Sequence, residues 1–575
     1  MKRAIMITTV AALAATALVA PAQARPVSAP NAVEGEYVVL YKEGVTGAQG
    51  GQAVKAAGGT VVKENTAIGL ALATSADGDF AASLQSDPAV EGVARNRSIG
   101  TSPDGIRAKG VARAIADKQA VEQEGREAGP SAGVAAAPRP RAEPLSELQW
   151  DMKQIKATAD GAHKYQQGRK EVLVGVIDTG VDGSHPDIAP NFNRALSRNF
   201  TVDIPVDANG QEVDGPCEAE PDRSCDDPND VDERGHGTHV ASSIASPVNG
   251  LGIAGVAPKV SLVNLRAGQD SGFFFLYPSV EAITYAADIG VDVVNMSYYI
   301  DPWLFNCADN PADSAANRLE QHTVITATQR ALAYAHRRNV TLVAAAGNEG
   351  MDYTKENTDT SSPNFVSEPG EAPYSRIIPP SCLSLPSEGQ NVISVASTGI
   401  SKRKSYYSSH GNGYTDIAGP GGDVYDTPEN RRDITKATLS AYPKAVLESE
   451  GLLNPDGTPN VNSVVRDCKG TECAYYQYLQ GTSMASPRVA GVAALIVSEY
   501  GRRDSRRPGL TLRPALVQKI LNKTATPVRC PSPPAYTYTR HLPNGTTVTT
   551  THTCEGGKTN GFYGAGIVDA LRAVR

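Results

Sequence analysis

The sequence predicts an α/β protein in which a mostly parallel sheet is covered by helices on both faces, preceded by a small α+β unit. Three observations carry this expectation. Continuous apolar runs of strand length recur at 172–177, 260–265, 291–296, 342–346 and 392–396. Runs without polar alternation suit strands buried on both faces. Helix-like stretches lie between several of them, the clearest at 279–289 and 326–338. Finally, the patterning of residues 31–99 mixes strands and helices and contains no cysteine, whereas all eight cysteines follow residue 200.

Taken in order, Met1-Lys2-Arg3, the apolar run 4–20 and Ala22-Gln23-Ala24 form the charged, apolar and small-residue zones of a secretory signal spanning 1–24. No later segment reaches the roughly 18 to 20 apolar residues of a membrane span, so an exported protein with no membrane partner is expected. Within 25–100, residues 37–41 read as a strand, 46–57 as a helix, 59–62 and 67–73 as a strand pair, 80–85 as a short helix and 90–93 as a last strand. Residues 101–143 are rich in Ala, Gly, Pro and charge and read as an exposed linker where processing cuts fall, with 106–123 helical. The main domain is expected over 144–575. Its polar insertions at 203–233, 353–386 and 425–473 read as surface loops, and Pro543-Asn544-Gly545 as the turn of a hairpin.

The formal charge of −8 is spread over scattered residues of both signs, which excludes a basic face for nucleic acid. In an exported chain the even cysteine count favours disulfides, and no Cys-x-x-Cys pair supports a zinc or redox site. Loop closure alone favours neighbours: 217 with 225, 307 with 382, 468 with 473, and 530 with 554.

The chemistry gathers around Gln480-Gly481-Thr482-Ser483-Met484-Ala485-Ser486-Pro487, followed by the helical stripe Val489, Val492, Leu495 and Ile496. Ser483 at the mouth of that helix is either an N-cap or an oxygen poised beside free N–H groups and a positive dipole end. Asp178 directly follows the first long strand, where it either starts a turn or holds an imidazole at the sheet's functional edge. His236 lies in Arg234-Gly235-His236-Gly237-Thr238-His239, and His236 with His239 invites a metal reading. The spacing is not that of His-Glu-x-x-His, and no third ligand is evident. Asn348 ends the run 342–347, where its amide either closes a turn or serves as a donor to an oxyanion.

Asp178-Thr179-Gly180, His236-Gly237-Thr238-His239 and Gly481-Thr482-Ser483-Met484-Ala485-Ser486-Pro487 occur in the order Asp, His, Ser. With Gly564-Ala565-Gly566-Ile567-Val568-Asp569-Ala570 near the end, the chain from Leu148 onward resembles the subtilisin-like (subtilase) serine peptidases. The resemblance implies a three-layer α/β/α domain and a secreted endopeptidase without a catalytic cofactor. In it Ser483 attacks the peptide carbonyl, His236 shuttles the proton, Asp178 orients the imidazole and Asn348 binds the oxyanion. It also implies a substrate-binding strand at Ser297, Tyr298 and Tyr299, facing Ala346 and Gly347. Tyr299 and Ile300 stand where many relatives carry glycines, which leaves the pocket's shape open. Asp187 and Asn249 match positions that hold a structural Ca²⁺ in relatives. Residues 31–99 resemble the family's ferredoxin-like inhibitory propeptide. The partners implied are protein or peptide substrates and the chain's own propeptide, with the protein a monomer. The absence of Gly-x-Ser-x-Gly argues against an α/β-hydrolase esterase. The alternatives are a catalytically silent binding module of the same fold and a metal-dependent hydrolase built on His236 and His239.

Overall fold

The computed structural model describes residues 35–96, 119–126, 143–206, 212–220, 223–362, 375–503 and 509–575. The expected signal segment and most of the 101–143 linker lie outside the described residues.

The amino-terminal unit comprises β1 (Gly35–Tyr41), α1 (Gly47–Ala56), β2 (Thr60–Asn65), β3 (Leu70–Ser75), α2 (Phe80–Gln85) and β4 (Val90–Arg95). Thr46 and Gln49 close a reciprocal capping box at the start of α1, which accounts for the helix beginning there. The four strands pair antiparallel in the order β2-β3-β1-β4. One sheet face packs on α1 and α2 through Val39, Tyr41, Phe80 and Leu84. The other shares a core with two helices of the main domain through Val38, Leu40, Leu70 and Leu72.

Those helices, Leu276–Asp288 and Ala315–Arg337, belong to the second unit. Its elements begin with α3 (Trp150–Ile155), β5 (Leu173–Ile177), β6 (Arg198–Asn199), α4 (His236–Ala245), β7 (Ser261–Arg266), α5 (Leu276–Asp288), β8 (Val293–Met296) and α6 (Ala315–Arg337). There follow β9 (Thr341–Ala345), β10 (Asn357–Asp359), β11 (Arg376–Ile378), β12 (Val392–Thr398), β13 (Ile417–Pro420) and β14 (Thr438–Ala441). The chain continues through α7 (Lys444–Ser449), β15 (Val464–Lys469), β16 (Glu472–Leu479), α8 (Thr482–Tyr500) and α9 (Pro514–Thr524), and reaches the hairpin β17 (Ala535–His541) and β18 (Thr547–Thr553).

Seven strands form one parallel sheet in the order β13-β12-β9-β8-β5-β7-β6. All five apolar runs of the sequence lie in it, with every residue of β5, β7, β8, β9 and β12 buried. Helices α4 and α8 share one core with one face of the sheet, and α5 and α6 share another with the opposite face. This is the expected α/β arrangement. Helix α6 starts earlier than its apolar spacing indicates, because Ser314 caps it and a polar first half is tolerated there.

Among the described residues the insertions are not the solvated loops that their polarity predicts. Arg266 is fully buried among Asp203, Asp227 and Asp270, so the aspartate-rich stretch folds around an internal cation. Arg376 is likewise buried, bridging Asp313 and Asp359 in the second insertion. The third supplies β14 and β15, which flank β16 in an antiparallel sheet. Buried ion pairs look like surface in a sequence, since they carry the same residue types. The cysteines pair as loop closure favours: Cys217–Cys225, Cys307–Cys382, Cys468–Cys473 and Cys530–Cys554.

Candidate active site

Three elements converge at the carboxyl edge of the sheet. Asp178 follows β5 directly and is fully buried. His236 is the first residue of α4, delivered by Gly235 at φ 87°, where a Cβ would stand 2.3 Å from the Tyr442 ring. On its other side Gly237 lets α4 press on the β5 turn, since a Cβ there would meet the Gly180 carbonyl at 2.0 Å. The result is a hydrogen bond of 2.6 Å between His236 Nδ1 and Asp178 Oδ1, which also accepts from the Thr179 N–H at 2.8 Å.

Ser483 lies in the first turn of α8. Gly481 occupies the cap position and no side chain caps the helix, so the N-cap reading of Ser483 fails. The first-turn N–H groups of such a helix have no intrahelical partners. Ser483 Oγ donates only a long bond of 3.4 Å to the Ser297 carbonyl. Pro487, one turn on, has no N–H to give the Ser483 carbonyl. Ser297 Oγ fills that place at 3.0 Å. Asn348 turns its Oδ1 onto the Thr482 N–H and hydroxyl, both at 2.9 Å, which leaves its Nδ2 facing the cleft.

One carboxylate touches all three groups. Glu122, from the linker, has its Oε2 3.4 Å from His236 Nε2 and its Oε1 3.4 Å from Asn348 Nδ2, and its carboxylate also faces Ser483. The imidazole, the hydroxyl and the amide therefore lie around a single point. Residues 119–126 are thus seated in the cleft instead of forming exposed linker, with the Gln480 N–H donating to the Glu122 carbonyl at 3.2 Å. Burial works against charge on His236, but the Asp178 and Glu122 carboxylates outweigh it and hold the imidazole well above its usual range. Burial would raise Glu122, yet His236 and Ser483 hold it below the usual carboxylate value.

The substrate-strand residues are only partly at the cleft. Ser297 Oγ is used within the fold, on Ser483 and Ser486. Tyr298 turns inward and stacks on Phe274 at 4.2 Å between ring centroids, and Ile300 is fully buried. Tyr299 packs against the cluster of Leu304, Phe305 and Tyr353. Tyr298 and Ile300 thus fill the interior on that side. The Ala346 carbonyl accepts from the Tyr353 hydroxyl, and the Gly347 N–H donates to Thr482 Oγ1 at 3.1 Å.

His239 faces away from this point. Its Nε2 meets the carbonyls of Gln477 and Thr438 at 3.1 and 3.3 Å, so that nitrogen carries a proton. Burial first, then the charges of Arg488 and His236, lower its pKa to about 3. The two histidines have separate partners, which removes the basis of the metal-hydrolase alternative.

The residues expected to hold Ca²⁺ do not fit it. Asp187 is buried and pushed well up by that burial. Its Oδ2 accepts from the Ile253 N–H at 3.1 Å and the Tyr476 hydroxyl at 3.2 Å, and its Oδ1 from Asn249 Nδ2 at 3.2 Å. Asn249 Oδ1 accepts from the Leu251 N–H, and its carbonyl accepts from Lys469 Nζ at 2.7 Å. A hard cation needs free oxygen lone pairs, and here they meet N–H and O–H donors and an ammonium. Among the described residues the other carboxylate group close enough to hold a metal, Asp203, Asp227 and Asp270, already surrounds Arg266. Excess EDTA is therefore expected to leave the melting temperature within about 1 °C. A fall of several degrees, restored by Ca²⁺, would show that the Asp187 loop binds the ion.

The parallel sheet brings Asp178, His236 and Ser483 to one edge, and the model of the Subtilase family matches residues 169–566, well over half of the chain: the chain belongs to this family. Among individual proteins it is 27% identical over 346 residues to the thermophilic serine proteinase of Bacillus sp. (strain AK1), which covers 60% of this chain and 56% of that protein. It is 27% identical over 372 residues to subtilisin DY of Bacillus licheniformis, covering 65% of this chain and 89% of that one. The chain thus spans little more than half the length of the first relative. In fold it is similar to the epidermin leader peptide-processing serine protease EpiP of Staphylococcus aureus, with a TM-score of 0.58 at 21% identity over 94% of this chain and 98% of that one.

Glu122 escaped the sequence reading. Its linker has no apolar stripe, and the signal that places it is a contact with residues more than a hundred positions away.

Proposed function

We propose that this protein is an exported serine endopeptidase that cuts protein or peptide chains through Asp178, His236 and Ser483, and that it is made in a latent form. The observation that carries this reading is the convergence of His236 Nε2, Asn348 Nδ2 and the Ser483 hydroxyl on the Glu122 carboxylate. A substrate carbonyl at that point meets a nucleophile, a base and an oxyanion donor together. Ser483 Oγ bonds to the carbonyl carbon while its proton passes to His236 Nε2. Asp178 holds Nδ1–H and stabilises the imidazolium. Asn348 and a first-turn N–H of α8 bear the oxyanion until it collapses, the amine leaves with the proton, and water repeats the sequence to free the acid. In the latent chain the amino-terminal unit rests on α5 and α6, and residues 119–126 occupy this space. The first 24 residues direct export, and removal of 25–143 yields the active enzyme.

The plug predicts a pH dependence. Asp178 and then Glu122 raise His236, so the Glu122 part of this contact is complete below the imidazole pKa of the unplugged site and is lost as pH rises through the higher one of the plugged site. Glu122 is lowered, so its part is complete above the ordinary carboxylate pKa and is lost as pH falls through the lowered one. Latency is greatest between these limits. Arg234 adds a favourable charge near Glu122 throughout.

The test is covalent labelling of the full-length chain by a fluorophosphonate, followed by peptide mapping. An adduct on Ser483 is expected to form slowly at neutral pH and at least about tenfold faster in Glu122→Gln, because a charge-assisted contact is lost. Adduct formation on neither protein would overturn the peptidase reading, and equal rates would overturn the plug.

A further inference from the structure

Beside Asn348 lies a cavity of about 350 Å³ whose wall includes Glu349, Tyr406, Tyr407, Arg540, His552 and the linker's Glu124. Arg540 and His552 come from the β17–β18 hairpin, which packs its tyrosines on the main domain. Glu124 fills one side of this cavity, and its contacts are specific. The Tyr425 hydroxyl donates to its Oε1 at 2.8 Å, while the Tyr406 hydroxyl and Gln480 Nε2 donate to its Oε2, the latter at 3.3 Å. The Arg540 guanidinium lies 3.9 Å from the Tyr406 ring centroid and 5.6 Å from that of Tyr425, placing a positive charge behind the hydroxyls.

These groups are not a solvated surface patch. Tyr406 is 7% exposed, Tyr425 is 1% exposed and Gln480 is fully buried. When 119–126 leaves the cleft, two phenol hydroxyls and one amide N–H lose their shared acceptor at once. The vacated pocket then presents two phenol hydroxyls, an amide N–H and the Arg540 charge together, which suits an incoming chain that brings a carboxylate to the same place. Gln480 also ties this pocket to the catalytic point: its main-chain N–H holds the Glu122 carbonyl, and Gly481 and Ser483 follow it in the chain.

We propose that Tyr406, Tyr425, Gln480 and Arg540 form a subsite that selects an acidic side chain close to the cut bond of the substrate, and that Glu124 fills this subsite in the latent chain. The inference rests on the peptidase reading above and adds a substrate class to it. An extended substrate does not follow the helical turn of 119–126, so the preference is expected at one fixed position relative to the cut, not at a spacing copied from Glu122 and Glu124.

The experiment digests a peptide library containing matched Glu and Gln sequences with the full-length protein, and compares Tyr425→Phe and Arg540→Gln. At one position Glu is expected to be favoured over Gln by on the order of tenfold in kcat/KM, and both variants should lower that ratio. Cutting without an acidic preference, or a preference that neither variant changes, would overturn the subsite and leave the peptidase reading standing. No cutting together with no Ser483 adduct would overturn both. If the chain stays plugged but labels at Ser483, the labelling rate decides: Glu124→Gln should speed it at least several-fold, and an unchanged rate would overturn the proposal.

Discussion

Peptide hydrolysis by Ser483→Ala is expected to fall by roughly 10⁶-fold, the scale seen when a triad serine is removed. The reason is local. The Ser483 hydroxyl makes a single long hydrogen bond to the Ser297 carbonyl and contacts Glu122, so little of the fold depends on it. The carbonyl of the same residue is held by Ser297 Oγ, and that bond survives the substitution. The variant should therefore melt within about 1 °C of the parent while turnover collapses, as read from initial rates on a quenched peptide after removal of the linker. A residual rate within tenfold of the parent would mean that the hydroxyl is not the nucleophile.

Asp178→Asn carries the second largest expected effect, a loss of about 10⁴-fold in kcat. Asp178 lies fully buried between the Thr179 N–H and His236 Nδ1. An amide fits the same volume, but where a carboxylate can only accept, it presents N–H on one side. The imidazole can then turn its protonated nitrogen toward Ser483, which leaves no base. The charge matters as much as the geometry. Asp178 is the larger of the two carboxylate contributions that raise His236 against burial, so its neutralisation should move the imidazole's titration down. The activity loss should thus be accompanied by a lower apparent pKa of labelling at Ser483. Loss of activity with an unmoved pKa would point to a structural fault instead.

How much of this was legible in the sequence depended on distance along the chain. Asp178, His236, Asn348 and Ser483 each sit at a strand end or a helix start, so local pattern alone puts them at one edge of a parallel sheet. The strands were equally plain, because burial on both faces leaves an unbroken apolar run. The surroundings of the residues expected to hold Ca²⁺ were illegible for the opposite reason. Asp187 and Asn249 keep their positions, but Tyr476 and Lys469 arrive from a sheet formed more than two hundred residues later. The insertions were misread because Arg266 and Arg376, with their aspartates, have the composition of surface while forming small ionic cores. The seating of 119–126 had no local signature, since its hold depends on polar groups of Gln480, Tyr406, Tyr425 and Asn348.

Asp178 and Glu122 together keep a proton on His236 at the point where Ser483 and Asn348 meet. A one-dimensional proton spectrum of the full-length chain, taken across pH, tests it most directly. A far-downfield Nδ1–H resonance is expected that keeps its imidazolium position well above the ordinary imidazole pKa of about 6.5, shifts only as pH passes the raised one, and is lost in Asp178→Asn. A spectrum without that resonance, or one in which it titrates at the ordinary value, would contradict it.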